Sequence, residues 1–390
     1  MKIGVDASCW GNKRGFGRFT RELLEALIEI DEENDYLFFI DSETKGADDM
    51  PERVRRISAK TSHSQVEAAS ADGRRSLKDL WAMTREVYRH DVDVFFFPAV
   101  YSYFPILNRT KVLLTLHDVI ADHHPALIFP NSKSKYLWKL KQNIAIKQAD
   151  MVATVSEYSK KEIVKYFRLP ESKIRLISEA ARPVFKVLPT NNGFVSTLEK
   201  HGLRRDERFL LYVGGISPHK NLNTLIDAFK KIADSDDKLK LVLVGDYKDD
   251  PFFSAYPDLK AKVHQFDLED RVIFTGFISD EDLAYLYNAA TLLVFPSLEE
   301  GFGLPAIEAM SCGTPVAASN TGSLPEVLGS VGRYFDPLIS EEMATVIRSV
   351  LDDETTRQKM KTDGLARSQN FRWKRAAEDT LAIFRELKTI

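Results

Sequence analysis

Residues 299–316 read EEGFGLPAIEAMSCGTPV, and the fold follows from how this stretch is parsed. Ahead of it, TLLVFPS (291–297) is an apolar run closed by Pro296 and Ser297, the pattern of a buried strand. Behind it a helix is predicted from about Leu304 or Pro305, with the proline suited to its first turn and Cys312-Gly313 as its stop. Between strand and helix lies a short loop holding Gly301 and Gly303. Such a strand, glycine loop and helix N-terminus favour a diphosphate, because free N–H groups and the helix dipole both attract negative charge. The expected donors are the N–H groups of Gly301, Phe302, Gly303 and Leu304.

The same loop carries Glu300, and Glu308 follows eight residues later. A carboxylate repels phosphate, so Glu300 is expected to face sugar hydroxyls, from which a carboxylate accepts two hydrogen bonds in fixed geometry. Glu308, about one turn into the helix, is placed for a second diol such as a ribose. Two carboxylates flanking a phosphate loop describe a nucleotide-sugar pocket. Without the surrounding pattern they would be an ordinary loop charge and a helix surface residue.

That pattern is specific. Framed by FPS, EGFGLP and EAM, and followed by GTPVAASNTGSLPEV, Glu300 and Glu308 closely resemble the donor-site motif of the retaining glycosyltransferases of family 4. The resemblance covers nearly the whole chain. It implies the GT-B fold, an α/β architecture of two Rossmann-like doubly wound parallel-sheet domains facing one another across a cleft. It also implies metal-independent transfer of a hexose from a nucleoside-diphosphate sugar, with retention of configuration.

Bulk properties agree with such an enzyme. A chain of 390 residues fits two domains, and 44% apolar with 28% charged residues is a globular composition. A net charge of −3 gives no hint of nucleic acid as a partner. The two cysteines, Cys9 and Cys312, match no metal or redox spacing and suit a reducing compartment. MKIGVDASCW has no apolar core of signal-peptide length, and no run reaches the ~18 apolar residues of a membrane span. A cytoplasmic protein is expected.

Towards the N-terminus, KIGVDAS reads as a strand, CWGNKRGFGR as a loop with Gly11, Gly15 and Gly17, and FTRELLEALIEI as a helix. By resemblance Gly15 approaches the donor diphosphate. YLFFI (36–40) is a second strand, and the small polar residues 60–76 read as a loop. Asp91-Val92-Asp93 has the form of a metal-binding Asp-x-Asp, but it runs straight into the apolar strand VFFFP. One aspartate is therefore expected to cap the preceding helix and the other to fit a strand edge. KVLLTLHDVI (111–120) ends a strand in His117-Asp118, at the end where α/β ligand crevices lie. The matching family position is a histidine facing the donor sugar, so His117 is a catalytic candidate, with Asp118 supporting its loop or orienting the histidine. Residues 131–148, NSKSKYLWKLKQNIAIKQ, form a basic helix: either a solvated face over a core face, or a docking surface for anionic lipid at the inner face of the membrane.

The domain boundaries read as an N-terminal acceptor domain over 1–186, a linker over 187–207 marked by Pro189, Asn191, Asn192 and Gly193, a nucleotide-sugar domain over 208–370, and a C-terminal helix over 371–390. By resemblance that helix crosses back to the first domain, with Trp373 as an anchor. In the second domain RFLLYVGG, ISPHK and a helix repeat the strand–loop–helix unit. Gly214, Gly215 and Lys220 are the diphosphate candidates, Lys220 as a point charge. The family usually adds an arginine in this loop, and here there is none. His219 or the Gly214 and Gly215 N–H groups are the substitutes. By resemblance Gly276 and Phe277 lie where the base sits, and Glu326 near the ribose.

The resulting expectation is a hexosyltransferase of polysaccharide or glycoconjugate synthesis. Its catalytic candidates are His117, Lys220 and Glu300. UDP-glucose is favoured as donor over GDP-mannose, and no prosthetic group is needed. The acceptor is a saccharide or lipid-linked saccharide. Two rivals remain. A retaining glycoside hydrolase would need Glu300 and Glu308 ~5–5.5 Å apart, and a non-catalytic sugar-binding protein would need no diphosphate loop.

Overall fold

The computed structural model describes residues 1–12, 15–42, 44, 49–62, 76–189, 192–247 and 254–389. They form two compact units, one of residues 1–179 and 372–390, the other of residues 180–371. Most of the run expected as a loop over 60–76 lies outside the described residues.

The first unit is built on β1 (Lys2–Asp6), β2 (Asp35–Ile40), β3 (Arg55–Ser58), β4 (Val94–Phe97), β5 (Lys111–Thr115), β6 (Met151–Thr154) and β7 (Ile174–Leu176). These pair in parallel in the order β3-β2-β1-β4-β5-β6-β7. Strands such as VFFF in β4 are apolar at every position because helices cover both faces of a parallel sheet. The strand order reverses between β1 and β4, the point at which sheets of this kind take ligands outside the carboxyl ends of their strands.

The first helix, Gly15–Ile30, starts a turn earlier than its apolar run suggests, so Gly15 and Gly17 sit in its first turn and not in a loop. Gly17 is required there by close approach, since a Cβ would lie 2.1 Å from the Asn12 carbonyl oxygen. Asp93 is a strand-edge residue. Its Oδ2 accepts the Lys2 N–H at 2.8 Å and its own N–H donates to the Lys2 carbonyl. The preceding helix, Leu77–Arg89, is closed by His90 rather than by Asp91.

The terminal helix, Trp373–Thr389, belongs to this unit and packs on the first helix. Ala376, Ala377, Thr380, Leu381, Phe384 and Leu387 are its buried stripe, with the Phe384 ring edge-on to Phe96 at 5.7 Å. Trp373, the expected anchor, is half-buried, 6.1 Å from Phe19. Phe384 goes deeper because it lies mid-stripe, whereas Trp373 is the first residue of the helix. Glu386 pairs with Arg175 beside β7.

The second unit has β8 (Phe209–Val213), β9 (Lys240–Val244), β10 (Val272–Gly276), β11 (Leu292–Phe295), β12 (Val316–Ser319) and β13 (Arg333–Phe335), all parallel, in the order β10-β9-β8-β11-β12-β13. Its reversal point lies between β8 and β11. The run expected as a linker over 187–207 instead holds a helix, Asn192–Lys200, which is part of this unit. Phe194 and Leu198 are buried, Lys200 pairs with Asp282 at 2.6 Å, and Arg182 pairs with Asp280 at 2.6 Å. Asn192 and Gly193 open this helix, and the apolar spacing that follows is what fixes it to the unit.

Candidate active site

In an open parallel sheet, ligands bind outside the carboxyl ends of the strands at the reversal point. In the second unit those ends belong to β8 and β11, which lead into the Gly214 loop and the Glu300 loop. After β8 the chain turns through Gly214 and Gly215, whose carbonyl accepts the Tyr212 hydroxyl at 2.8 Å. Gly214 packs against the end of β9 so closely that a Cβ on Gly245 would lie 2.0 Å from the Gly214 carbonyl oxygen. A short 3-10 turn, Pro218–Lys220, then delivers Lys220.

The next residue, Asn221, holds this loop against β11. Its backbone is left-handed, with φ 60°, a conformation that asparagine tolerates better than most side chains. Its Nδ2 donates to the carbonyls of Pro296 at 3.0 Å and Pro337 at 2.6 Å, while the Thr224 hydroxyl donates to its Oδ1 at 2.7 Å. Leu298 N–H donates to the His219 carbonyl at 3.0 Å. Two loops far apart in sequence are stitched together by these bonds. The sequence hint was an asparagine directly between a loop lysine and a helix.

The consequence is an ion pair. Lys220 Nζ donates to Glu300 Oε1 at 2.6 Å, with the two side chains only 18% and 11% exposed. The sequence reading gave these groups separate partners, phosphate and sugar; in the structure they are each other's partner. Lysine reaches across because the charge would otherwise be desolvated without compensation.

The backbone of Glu300 is fixed from a third segment. Its carbonyl accepts Ser323 N–H at 3.1 Å and the Ser323 hydroxyl at 3.0 Å. Gly322, with φ 64°, allows this approach, since a Cβ there would sit 2.7 Å from the Glu300 nitrogen. Gly303 caps the helix Leu304–Ser311 with φ 103°, and a Cβ on it would meet Leu324 at 2.8 Å. Phe302 turns its ring into the unit against Phe371 at 5.8 Å, and Leu304 is buried, so these two can offer only backbone to a ligand.

Glu308 is 3% exposed, and its Oε2 accepts the buried Tyr287 hydroxyl at 2.9 Å. Burial pushes the nearby Cys312 thiol up, and the charge of Glu308 adds to it. Tyr287 has no local sequence signal, for it arrives from the helix Asp280–Ala289. Gly276 ends β10 with φ 72°, beside the Tyr247 ring that stacks on Tyr256 at 4.1 Å, and Phe277 is exposed after it. Glu326 is an exposed residue of the short helix Leu324–Leu328.

Gly15 and His117 belong to the first unit. The His117 ring is held edge-on to Phe19 at 4.7 Å. Its Nε2 lies 3.1 Å from the Pro98 carbonyl oxygen. Its Nδ1 lies 3.4 Å from Oε1 of buried Glu179, a residue the sequence did not single out. Asp118 Oδ1 accepts Ile120 N–H at 3.0 Å, a bond within its own loop. Among the described residues no group of three or more His, Cys, Asp or Glu side chains could hold a metal ion.

Two doubly wound parallel sheets, one bearing a glycine loop, a lysine and a glutamate at its reversal point, define a glycosyltransferase of the GT-B fold. Comparison with known proteins makes the assignment particular. The family model for Glycosyltransferase Family 4 matches residues 14–180, and that for Glycosyl transferases group 1 matches residues 196–367. O-antigen chain mannosyltransferase B of Escherichia coli is 31% identical over 281 residues, 71% of each chain. The serotype-specific mannosyltransferase WbdA of Escherichia coli is 32% identical over 281 residues, which are 71% of this chain and 34% of WbdA. Among solved structures, Anabaena Alr3699/HepE in complex with UDP and glucose superimposes with a TM-score of 0.72 at 19% identity, covering 98% of this chain and 99% of that one. The chain belongs to the family 4 glycosyltransferases.

Proposed function

We propose that this glycosyltransferase moves a hexose, with retention, from a nucleoside-diphosphate sugar to a saccharide or lipid-linked saccharide acceptor in polysaccharide synthesis. The observation that carries the reading is the Lys220–Glu300 pair at the reversal point, a cation for phosphate beside a carboxylate for hydroxyls. Mannose, as GDP-mannose, takes precedence over the UDP-glucose expected from sequence. The support is the two mannosyltransferase relatives at 31% and 32% identity, whereas HepE at 19% bears on fold alone.

In this reading the anomeric carbon–phosphate oxygen bond breaks while Lys220 and the N–H groups of residues 301–304 counter charge on the departing diphosphate. The leaving phosphate oxygen takes the proton of the acceptor hydroxyl, whose oxygen bonds the anomeric carbon on the same face. Glu300 orients the sugar and Glu308 the ribose, with the base near Gly276 and Phe277. Gly15 and His117 are assigned to diphosphate and donor sugar from the first unit. No step requires a metal.

The test is transfer and thermal stabilisation across UDP, GDP and ADP and their sugars, with and without EDTA, and NMR of the product anomer. GDP-mannose is expected to stabilise and react, EDTA to leave the rate unchanged, and the α configuration to persist. Glu308→Ala should weaken every nucleotide by roughly 1.5–3 kcal/mol. Mn²⁺-dependent activity or an inverted product would overturn the mechanism, and a glucose-only response would restore UDP-glucose.

A cytoplasmic location belongs to the same proposal, resting on the nucleotide-sugar donor, with contact at an anionic membrane face. No helix among the described residues is long and apolar enough to cross a membrane. The helix Ser132–Gln148 exposes Tyr136, Leu137, Leu140 and Ile144 next to exposed Lys133 and Lys147. That mixture suits insertion of apolar side chains with lysines at ~1 kcal/mol each on anionic lipid. Co-sedimentation with anionic vesicles should exceed that with neutral ones, and serine at positions 137, 140 and 144 together should abolish the difference. Equal sedimentation of both proteins would remove the membrane from the model.

A further inference from the structure

We propose that Glu300 is a specificity-determining residue that discriminates the nucleotide sugar from the bare nucleotide, by holding Lys220 whenever no sugar hydroxyls engage it. The proposal rests on the nucleotide-sugar reading of this site. Lys220 Nζ sits 2.6 Å from Glu300 Oε1, and both side chains are largely withdrawn from water, where charge pairing is weakly screened. The pair is not a loose surface contact. The lysine loop is tied to β11 through Asn221 and Leu298, and the glutamate loop is tied to Ser323, so the backbone segments that carry the two side chains are held side by side.

The pairing bears directly on phosphate. In the loop from Gly214 to Lys220 the other basic residue, His219, faces the Ser217 hydroxyl through Nδ1 at 3.2 Å. Lys220 is therefore the loop's fixed positive charge. A bare nucleoside diphosphate must take Lys220 from Glu300 and leave that carboxylate unpaired beside two phosphates. A nucleotide sugar does not meet this cost, because its hydroxyls donate to Glu300 as its diphosphate takes Lys220. Once the sugar has been transferred, Glu300 loses those donors, recaptures Lys220 and weakens the hold on the nucleoside diphosphate product.

Calorimetry of GDP and UDP, and of their sugars, on the full chain tests this. Glu300→Gln removes the charge yet keeps the side-chain shape. It is expected to tighten the bare nucleotide about tenfold while weakening the nucleotide sugar, so that the preference for the sugar form collapses. In Lys220→Ala the same Glu300→Gln change should gain clearly less, about threefold, because it relieves only the carboxylate's repulsion of phosphate and there is no lysine to release. Thermal melts confirm that the variants fold. An unchanged or weaker bare-nucleotide affinity in Glu300→Gln overturns the proposal. A full gain in the Lys220→Ala background also overturns it, since simple repulsion would then suffice. If neither wild type nor Glu300→Gln binds any nucleotide, the site reading itself has failed and the proposal falls with it. Binding by Glu300→Gln alone supports the lock.

Discussion

Lys220→Ala is expected to lower kcat/KM for the nucleotide sugar by about 10²–10³-fold, the range seen when one preorganised charge stabiliser is removed. Charge on the diphosphate grows as the glycosidic bond breaks, so a cation aimed there acts more strongly on the transition state than on bound donor. The loss should fall on kcat as well as on KM. The structure adds a second reason for a large effect. Without Lys220, the Glu300 carboxylate has lost the donor that compensates its burial. Lys220→Arg keeps the charge but replaces a compact ammonium with a wider fork at a site built around a 2.6 Å contact, and should recover only part of the rate. Steady-state kinetics decide the matter. A kcat/KM for Lys220→Ala within about threefold of wild type would remove Lys220 from the chemistry.

Phe384→Ala should destabilise the first unit by about 3–5 kcal/mol, the cost of emptying a buried aromatic site. Phe384 is fully buried against Phe96 of β4, in the middle of the stripe by which the terminal helix packs on the helix Gly15–Ile30. The cavity cannot be filled from the ends of the helix, because Ala376, Ala377 and Thr380 above it are small and already buried. The measurement can be confined to the relevant unit. All four tryptophans, Trp10, Trp81, Trp138 and Trp373, lie in residues 1–179 and 372–390, so tryptophan fluorescence in urea follows that unit alone. A loss below about 1 kcal/mol would mean that the terminal helix is not part of its core.

Much of the architecture was readable from local patterns. Apolar runs such as VFFF and LLVF, closed by Pro, read as strands covered on both faces, and a glycine loop followed by a helix at 301–311 could be read without knowing any neighbour. Glu300 and Glu308 were legible as candidates because the motif around them resembles the donor site of the family, and Lys220 because it closes a glycine loop just ahead of a helix. The start of the first helix was misplaced because Gly15 and Gly17 resemble loop residues, and only the close approach of Gly17 to Asn12 accounts for them within a helix. Residues 187–207 looked like a linker for a similar reason, since turn residues hid the short apolar spacing of Phe194 and Leu198.

By itself, then, the sequence determined which segments are strands, loops and helices, and which side chains carry charge at their ends. These are consequences of periodicity and backbone preference, which act over a few residues. Tertiary structure alone decided who meets whom. Lys220 reaches Glu300 across 80 residues of sequence because β8 and β11 are neighbours at the reversal of strand order. Glu308 meets Tyr287 and His117 meets Glu179 only once separate elements have packed. Such pairings depend on strand order, a non-local outcome of how whole faces are buried, and no local pattern encodes it.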